Sequence, residues 1–114
     1  MKTDPLDTFR QRLREPQHRF ADSLAFIEQH YAYQPQPFKN GQLSNQAGEN
    51  QGSCKILGFA LLEQLSTEEA LLAFGEHYQH VLSTPSGQDH QNIRQLMLHG
   101  LSAVRFDTLP LSKK

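Results

Sequence analysis

The chain has 114 residues, of which 37% are apolar and 20% are charged. This length and composition predict one globular domain over residues 1–114 and exclude a disordered chain. Eleven basic and twelve acidic side chains leave a formal charge of -1. We therefore expect neither nucleic acid nor a membrane as a partner, because no positive field attracts either one.

Cysteine use and hydropathy indicate the compartment. Cys54 is the single cysteine and cannot form an intrachain disulfide, whereas small secreted domains usually contain several. The N-terminal sequence has no apolar run typical of a secretory signal, and no segment approaches the roughly 20 apolar residues of a membrane span. We therefore expect a soluble, cytoplasmic protein.

The first part of the chain predicts two amphipathic helices. Asp4 and Pro5 are typical of a helix cap and a first helical position, and the apolar pattern ends at Glu15 and Pro16. Apolar residues then recur at helical spacing over residues 20–31. This spacing predicts a second helix that faces the core.

Residues 34–52 have no apolar period and are rich in proline, glycine and amide side chains. A connection of this length in a compact domain is usually functional or mobile. Phe38 begins a predicted turn, while Val104 and Phe106 alternate with charged residues near the end of the chain. We predict a short two-stranded pairing between these two segments.

The segment after Gly52 predicts the central helix of the fold. It is apolar nearly all round, and such a helix is buried on every side. Ser53 is its expected cap, and Cys54 lies on the same face as Leu57 and Leu61. We therefore expect Cys54 at the beginning of the central core helix.

The last part of the chain predicts two further helices. Ser66 and Glu69 have the spacing of a capping box, and one helix is expected from there to Pro85. Asp89 is the predicted cap of the last helix. Residues 109–114 are expected to form a tail.

Several blocks of the sequence form an ordered pattern that covers most of the chain. They are FKNG (38–41), AGENQGSCKILGFA (47–60), FGEHYQHVL (74–82), DHQNIRQLM (89–97) and HG (99–100). Over about residues 18–107 the chain resembles the HopJ type III effector protein family, with Leu101 where relatives are expected to carry Trp. The resemblance implies a small helical bacterial protein but brings no established activity, cofactor or catalytic residue. The family name implies type III secretion and, if the protein is secreted, a host protein as partner.

Cys54 is the first candidate for chemistry. In the first turn of a helix, the macrodipole and the adjacent Lys55 favour a thiolate, and His90 is available as the base of a cysteine nucleophile. The alternative is that Cys54 is a core side chain, since free cysteines are among the most buried residues. We favour the core interpretation.

Glu76, His77 and His80 are the second candidate. Their i, i+3 and i, i+4 spacings allow a single helix to bind one metal ion. The alternative is a solvated polar face, which we favour because no further ligand with a sequence spacing of its own supports the site. We therefore expect no metal site and no cofactor.

The polar start of the last predicted helix is the third candidate. Asp89, His90, Asn92 and Arg94 supply more hydrogen-bonding groups than a helix cap requires. Capping and anchoring of the long loop are the alternative to a binding site. The loop of residues 34–52 can also fold over the starts of the central and last helices. One cleft would then be lined by Glu49, Asn50, Cys54, His90 and Asn92.

We predict a mainly α, single-domain protein of four to five helices with one short two-stranded β piece. Binding or protein interaction is the leading function, with an unknown protein or small molecule as the partner. The alternative is a small hydrolase or transferase that uses Cys54 as nucleophile and His90 as base. Metal binding through Glu76, His77 and His80 is the third hypothesis.

Overall fold

The computed structural model describes residues 4–114, which form six α-helices and five short strands. The helices are α1 (Pro5–Arg12), α2 (Phe20–His30), α3 (Gln51–Leu62), α4 (Thr67–Ala73), α5 (Glu76–Ser83) and α6 (Gln91–His99). The strands are β1 (Tyr31–Tyr33), β2 (Phe38–Asn40), β3 (Leu43–Asn45), β4 (Val104–Arg105) and β5 (Leu111–Lys113), with a 3-10 turn at Leu101–Ala103. Within residues 4–114, none of the helices combines the length and apolar character needed to cross a membrane.

Helix α3 lies at the centre of the core, as its apolar sequence predicts. Ile56, Leu57, Phe59 and Ala60 have no exposed surface, and the helix packs against α2, α4 and β5. With six helices and only short strands of two or three residues, the structure confirms the mainly α fold class. The helix begins one turn earlier than Cys54, with Asn50 rather than Ser53 as its N-cap.

Aromatic rings attach α1 and α2 to the central helix. Phe9 stacks on Phe26 with ring centroids 4.5 Å apart, and Phe59 of α3 meets Phe9 edge to face at 5.4 Å. Tyr31 packs against the same Phe59 ring at 5.5 Å. Such pairs stabilise a core beyond the apolar area that they bury.

The start of α4 is fully capped. Ser66 Oγ accepts the Glu69 N–H at 3.0 Å, and Glu69 Oε1 accepts the Ser66 N–H at 2.9 Å, which confirms the predicted capping box. Arg10 donates to both carboxylate oxygens of Glu69 at 2.8 Å. The Arg10 guanidinium is the main reason that the pKa of Glu69 falls to about 2. This pair joins α1 to α4.

Gly75 divides the helix that was expected to run unbroken to Pro85, and this is why the helix count exceeds the prediction. Its backbone has φ 58 and ψ -127, a conformation that only glycine adopts readily. A Cβ at this position would also overlap the backbone of Arg19 and Phe20. The break turns α5 so that Glu76 Oε1 accepts the Phe20 N–H at 2.7 Å, at the first residue of α2.

The predicted pairing of the Phe38 segment with the Val104 segment is confirmed and extended. Strand β2 pairs antiparallel with β4, with Asn40 opposite Val104, and Phe38 stacks on Phe106 with ring centroids 4.9 Å apart. Strand β3 pairs with the other edge of β2, so this sheet has three strands instead of two. The turn between β2 and β3 contains Gly41 at φ 61.

The expected tail is instead part of the fold. Strand β5 pairs antiparallel with β1, with Tyr33 opposite Leu111, and forms a second sheet. Leu111 is buried, and Pro110 packs on the central helix at Gly58, where a Cβ would overlap the proline ring. The tail prediction was therefore wrong, because three-residue strands are too short to reveal a period in the sequence.

Candidate functional site

A cleft of about 430 Å³ lies between the starts of α3 and α6. Its apolar walls include Phe20 of α2 and Phe74 after α4, and residues from the first turns of α3 and α6 supply its polar part. We call it the His90 cleft. Its lining includes Phe20, Asn50, Ser53, Phe74, His90 and Asn92.

Both helices that border the cleft begin in the same unusual way. Their N-caps, Asn50 and His90, are in the left-handed region at φ 48 and φ 51, and neither side chain makes a capping hydrogen bond. A non-glycine residue held there is strained, and such strain clusters at functional sites. The first turns of these helices therefore present backbone N–H groups without side-chain caps at the cleft.

An asparagine network contacts the two helix starts; Asn40, Asn45 and Asn92 are its buried members, and Asn50 is exposed. Asn92 donates to Asn45 Oδ1 at 3.1 Å and accepts at Oδ1 from Asn45 and Asn40 at 3.3 Å and 3.1 Å. Asn40 also donates to the Asn92 carbonyl at 2.8 Å, and Asn50 donates to Asn45 Oδ1 at 2.7 Å. The network links β2 and β3 to the starts of α3 and α6.

Two histidines and one carboxylate converge beside the cleft, and we call His80, Asp89 and His90 the Asp89 cluster. His80 Nε2 lies 3.1 Å and His90 Nε2 lies 3.9 Å from the same oxygen, Asp89 Oδ2. The His90 ring is 5.6 Å from that of His80 and 5.1 Å from that of His77, measured between centroids. The cluster therefore joins the end of α5 to the segment before α6.

Arg94 fixes the Asp89 carboxylate from the other side. Its Nη2 donates to Asp89 Oδ1 at 2.6 Å, and its Nε donates to the Asp89 carbonyl at 2.6 Å. Arg94 Nη1 donates to the Thr84 carbonyl at 2.8 Å, so the guanidinium is itself anchored. The hydrogen bond from Arg94, followed by that from His80, lowers the pKa of Asp89.

Cys54 lies away from this cleft. Its side chain is 1% exposed, and its sulfur donates at 3.7 Å to the carbonyl of Gln36, which lies between β1 and β2. Burial, followed by the neighbouring Cys54, raises the pKa of Tyr33 to about 12. The Lys55 ammonium lies over the Tyr33 ring, 4.7 Å from its centroid. This environment matches the core alternative for Cys54 and provides no histidine partner among these neighbours.

The structure brings together only part of the predicted site. Asn50, His90 and Asn92 share the His90 cleft, as expected. Glu49 instead accepts the Gln46 N–H at 2.8 Å within its own turn. The Glu76 carboxylate accepts the Phe20 N–H at the start of α2 and does not belong to the Asp89 cluster.

Two site residues, Asn40 and Asn45, and the role of Asp89 were not predicted. Asp89 is not the cap of α6, because His90 occupies that position and the Asp89 carboxylate binds Arg94 and His80. Asn40 and Asn45 were not identified as site residues. They end the short strands β2 and β3, and buried asparagine side chains are rare.

These features define a small, mainly α protein with a polar cleft between two uncapped helix starts. The chain belongs to the HopJ type III effector protein family, because the family model matches residues 6–111. It is similar to a crystal structure described as that of the "unknown function protein VPA0580", with a TM-score of 0.90 and 41% sequence identity over 100% of this chain and 97% of that chain. No curated protein matches the sequence significantly.

Proposed function

We propose that the chain is a binding protein that takes a small molecule in the His90 cleft. The observation that carries the proposal is the combination, within about 430 Å³, of aromatic walls and two uncapped helix starts. Ligand pockets have this size and this mixture of apolar lining with a few polar groups. The expected ligand has an aromatic or aliphatic part and hydrogen-bond acceptors.

The apolar wall of the cleft favours an aromatic or aliphatic group on the ligand. Phe20 and Phe74 lie nearly parallel, with an interplanar angle of 7° and ring centroids 6.1 Å apart. His77 meets the Phe20 ring edge to face at 4.8 Å. Phe74 is 2% exposed and supports the Phe20 ring, so the half-buried rings of Phe20 and His77 are the ones that give a planar or aliphatic group a surface to pack against.

The polar part of the cleft favours hydrogen-bond acceptors on the ligand. The first turns of α3 and α6 provide backbone N–H donors, and the positive ends of both helix dipoles lie there. The His90 ring adds a group that can donate or accept. Carboxylates and similar oxygen acceptors are therefore favoured over basic groups.

The asparagine network favours a preformed cleft over one that closes around its ligand. Asn92 is 5% exposed and Asn45 is 3% exposed, so the start of α6 rests on buried amide contacts, and Asn50 at the start of α3 is hydrogen-bonded to them through Asn45. Preorganisation lowers the entropy lost when a ligand binds. A broader depression of about 700 Å³ runs along α1 and α2, but its lining includes exposed side chains such as Arg12 and Gln29.

The proposal is tested by titrating small aromatic carboxylates, with benzoate and salicylate as probes, into ¹⁵N-labelled protein. We expect chemical-shift changes at the amides of Gly52, Ser53, Gln91 and Asn92, because these residues line the cleft. The Ser53→Phe variant should lose these changes, since its ring occupies the cleft.

The matched control is Ser44→Phe, which places the same ring on an exposed position of β3. It should bind like the unchanged protein. The proposal is wrong if neither probe shifts these amides at millimolar concentration, or if Ser53→Phe binds as tightly as Ser44→Phe.

A further inference from the structure

We propose that His80, Asp89 and His90 form a binding site for a divalent transition-metal ion, with Zn²⁺ as the best-matched ion. The site does not depend on a small molecule in the His90 cleft, because two of its three ligands lie outside the cleft lining. It also differs from the metal hypothesis based on Glu76, His77 and His80. Two of the three ligands, Asp89 and His90, lie six and seven residues beyond the end of α5, and a single-helix spacing does not reveal them.

The spacing of the three donors fits a small tetrahedral ion. One ligand atom from each residue lies within 4.8 Å of the other two. Zinc binds nitrogen and carboxylate oxygen at about 2.0–2.2 Å, which places neighbouring ligands of a tetrahedron roughly 3.3–3.6 Å apart. The Asp89 Oδ2 distances of 3.1 Å to His80 Nε2 and 3.9 Å to His90 Nε2 lie on either side of that range.

The donor set determines which metal is favoured. Two imidazole nitrogens and one carboxylate oxygen suit Zn²⁺, and also Cu²⁺ and Ni²⁺, whereas Mg²⁺ and Ca²⁺ require mostly oxygen ligands. The cluster contains only one carboxylate. We therefore expect Mg²⁺ to fail as a competitor for zinc.

The surroundings of Asp89 are those of an oriented ligand. Arg94 occupies Oδ1 at 2.6 Å, so Oδ2 is the oxygen turned toward both imidazoles. Hydrogen bonds to the non-coordinating oxygen of a carboxylate fix its direction and are a recurrent feature of metal sites. Thr84 holds Arg94 in turn, through hydrogen bonds from the guanidinium to its carbonyl at 2.8 Å and to its hydroxyl at 3.1 Å.

An ordinary ion pair accounts for only part of this arrangement. A single histidine at 3.1 Å would suffice to pair with Asp89, and Arg94 already neutralises the carboxylate. The second imidazole, His90, is nevertheless directed to the same oxygen from a strained backbone at φ 51. Three protein ligands leave one coordination position open, next to the cleft that His90 also lines.

The experiment uses full-length protein without a histidine tag, because a tag binds the same metals. Apo protein is prepared with a chelator and titrated with Zn²⁺ by isothermal titration calorimetry, and bound zinc is counted by mass spectrometry after dialysis. We expect one zinc per chain, no binding of Mg²⁺, and a cobalt complex with the strong visible absorption of tetrahedral coordination. His80→Gln, Asp89→Asn and His90→Gln should each weaken zinc binding at least tenfold.

Two control variants make the outcome specific. His99→Gln removes an exposed histidine at the other end of α6 and should bind zinc unchanged. Ser53→Phe should also retain zinc, whereas His80→Gln should retain the aromatic carboxylates, since His80 does not line the cleft. The two proposals can therefore fail separately.

The metal proposal is overturned if the folded protein binds no zinc at micromolar to millimolar concentrations. It is equally overturned if zinc binding survives in both His80→Gln and His90→Gln. Circular dichroism of each variant verifies the fold, and the exposed positions of His80, Asp89 and His90 favour its retention.

Discussion

The start of α4 and the starts of α3 and α6 solve the same physical problem in opposite ways. At α4, Ser66 and Glu69 cap the helix with side chains, and Arg10 donates hydrogen bonds to the Glu69 carboxylate. At α3 and α6, strained N-caps leave the first-turn N–H groups without side-chain caps. The start of α4 is thus closed by side-chain caps from its own sequence, whereas the starts of α3 and α6 beside the cleft are open, without side-chain caps, and are supported by the asparagine network.

The support for the open helix starts is the asparagine network, and removing it should have the largest effect. Asn92→Ala removes the side-chain partner of the buried Asn45 amide and one of the two acceptors of Asn40, whose hydrogen bond to the Asn92 carbonyl remains. An unsatisfied buried polar group costs about 1–3 kcal/mol, so we expect a loss of about 3 kcal/mol in the free energy of unfolding, measured with urea.

The control for this change is the preceding residue, Gln91, which is exposed. Gln91→Ala should alter the free energy of unfolding by no more than about 0.5 kcal/mol. If both variants unfold at the same urea concentration as the unchanged protein, the network does not support the open starts.

The contribution of the capped start of α4 to the free energy of unfolding should depend strongly on pH. The pKa of Glu69 falls from 4.5 to about 2 in the folded chain, chiefly through Arg10. Because the folded-state pKa lies below the unfolded one, this stabilisation is complete above about pH 5 and disappears as the pH falls toward 2. Its size is of the order of 2–3 kcal/mol.

The measurement is urea unfolding between pH 2 and pH 7 for the unchanged protein and for Glu69→Gln. The difference in unfolding free energy between them should shrink steadily on acidification. A difference that stays constant over this range would show that the Arg10–Glu69 pair does not control acid stability.

The smallest expected effect on stability comes from replacing serine by alanine, once at the closed start of α4 and once at the open start of α3. Ser66→Ala removes a side-chain cap and should cost about 1 kcal/mol. Ser53→Ala lies in the first turn of α3, where the N-cap Asn50 provides no side-chain cap, and should change stability by less than about 0.5 kcal/mol. Thermal unfolding of the two variants, monitored by circular dichroism, provides the comparison, and equal losses would erase the distinction between the two kinds of start.

The sequence was sufficient where structure is determined locally. The capping box at Ser66, the cap at Asp4 and the apolar character of α3 each involve residues within one or two helical turns, so their patterns are visible in the sequence. The pairing of Phe38 with the segment near Val104 was also predictable, because a turn signal marks the first partner and alternation marks the second.

The remaining features depend on contacts between distant segments. A glycine inside a helical pattern is often tolerated, and only the approach of Arg19 and Phe20 makes Gly75 a break. The Asp89 cluster likewise requires α5 and the start of α6 to meet, and no local spacing encodes that meeting. The choice between binding, protein interaction and chemistry stays a prediction, with Cys54 buried and His90 at a cleft.

The pairing of β5 with β1 has a consequence for how the protein is made. Pro110 and Leu111 cover the central helix near Gly58, yet they are synthesised long after it. The apolar face of α3 therefore stays uncovered while the second half of the chain is still being translated, which is the kind of surface that chaperones recognise. Removal of Pro110 and Leu111 would leave this face of α3 uncovered in the folded chain as well.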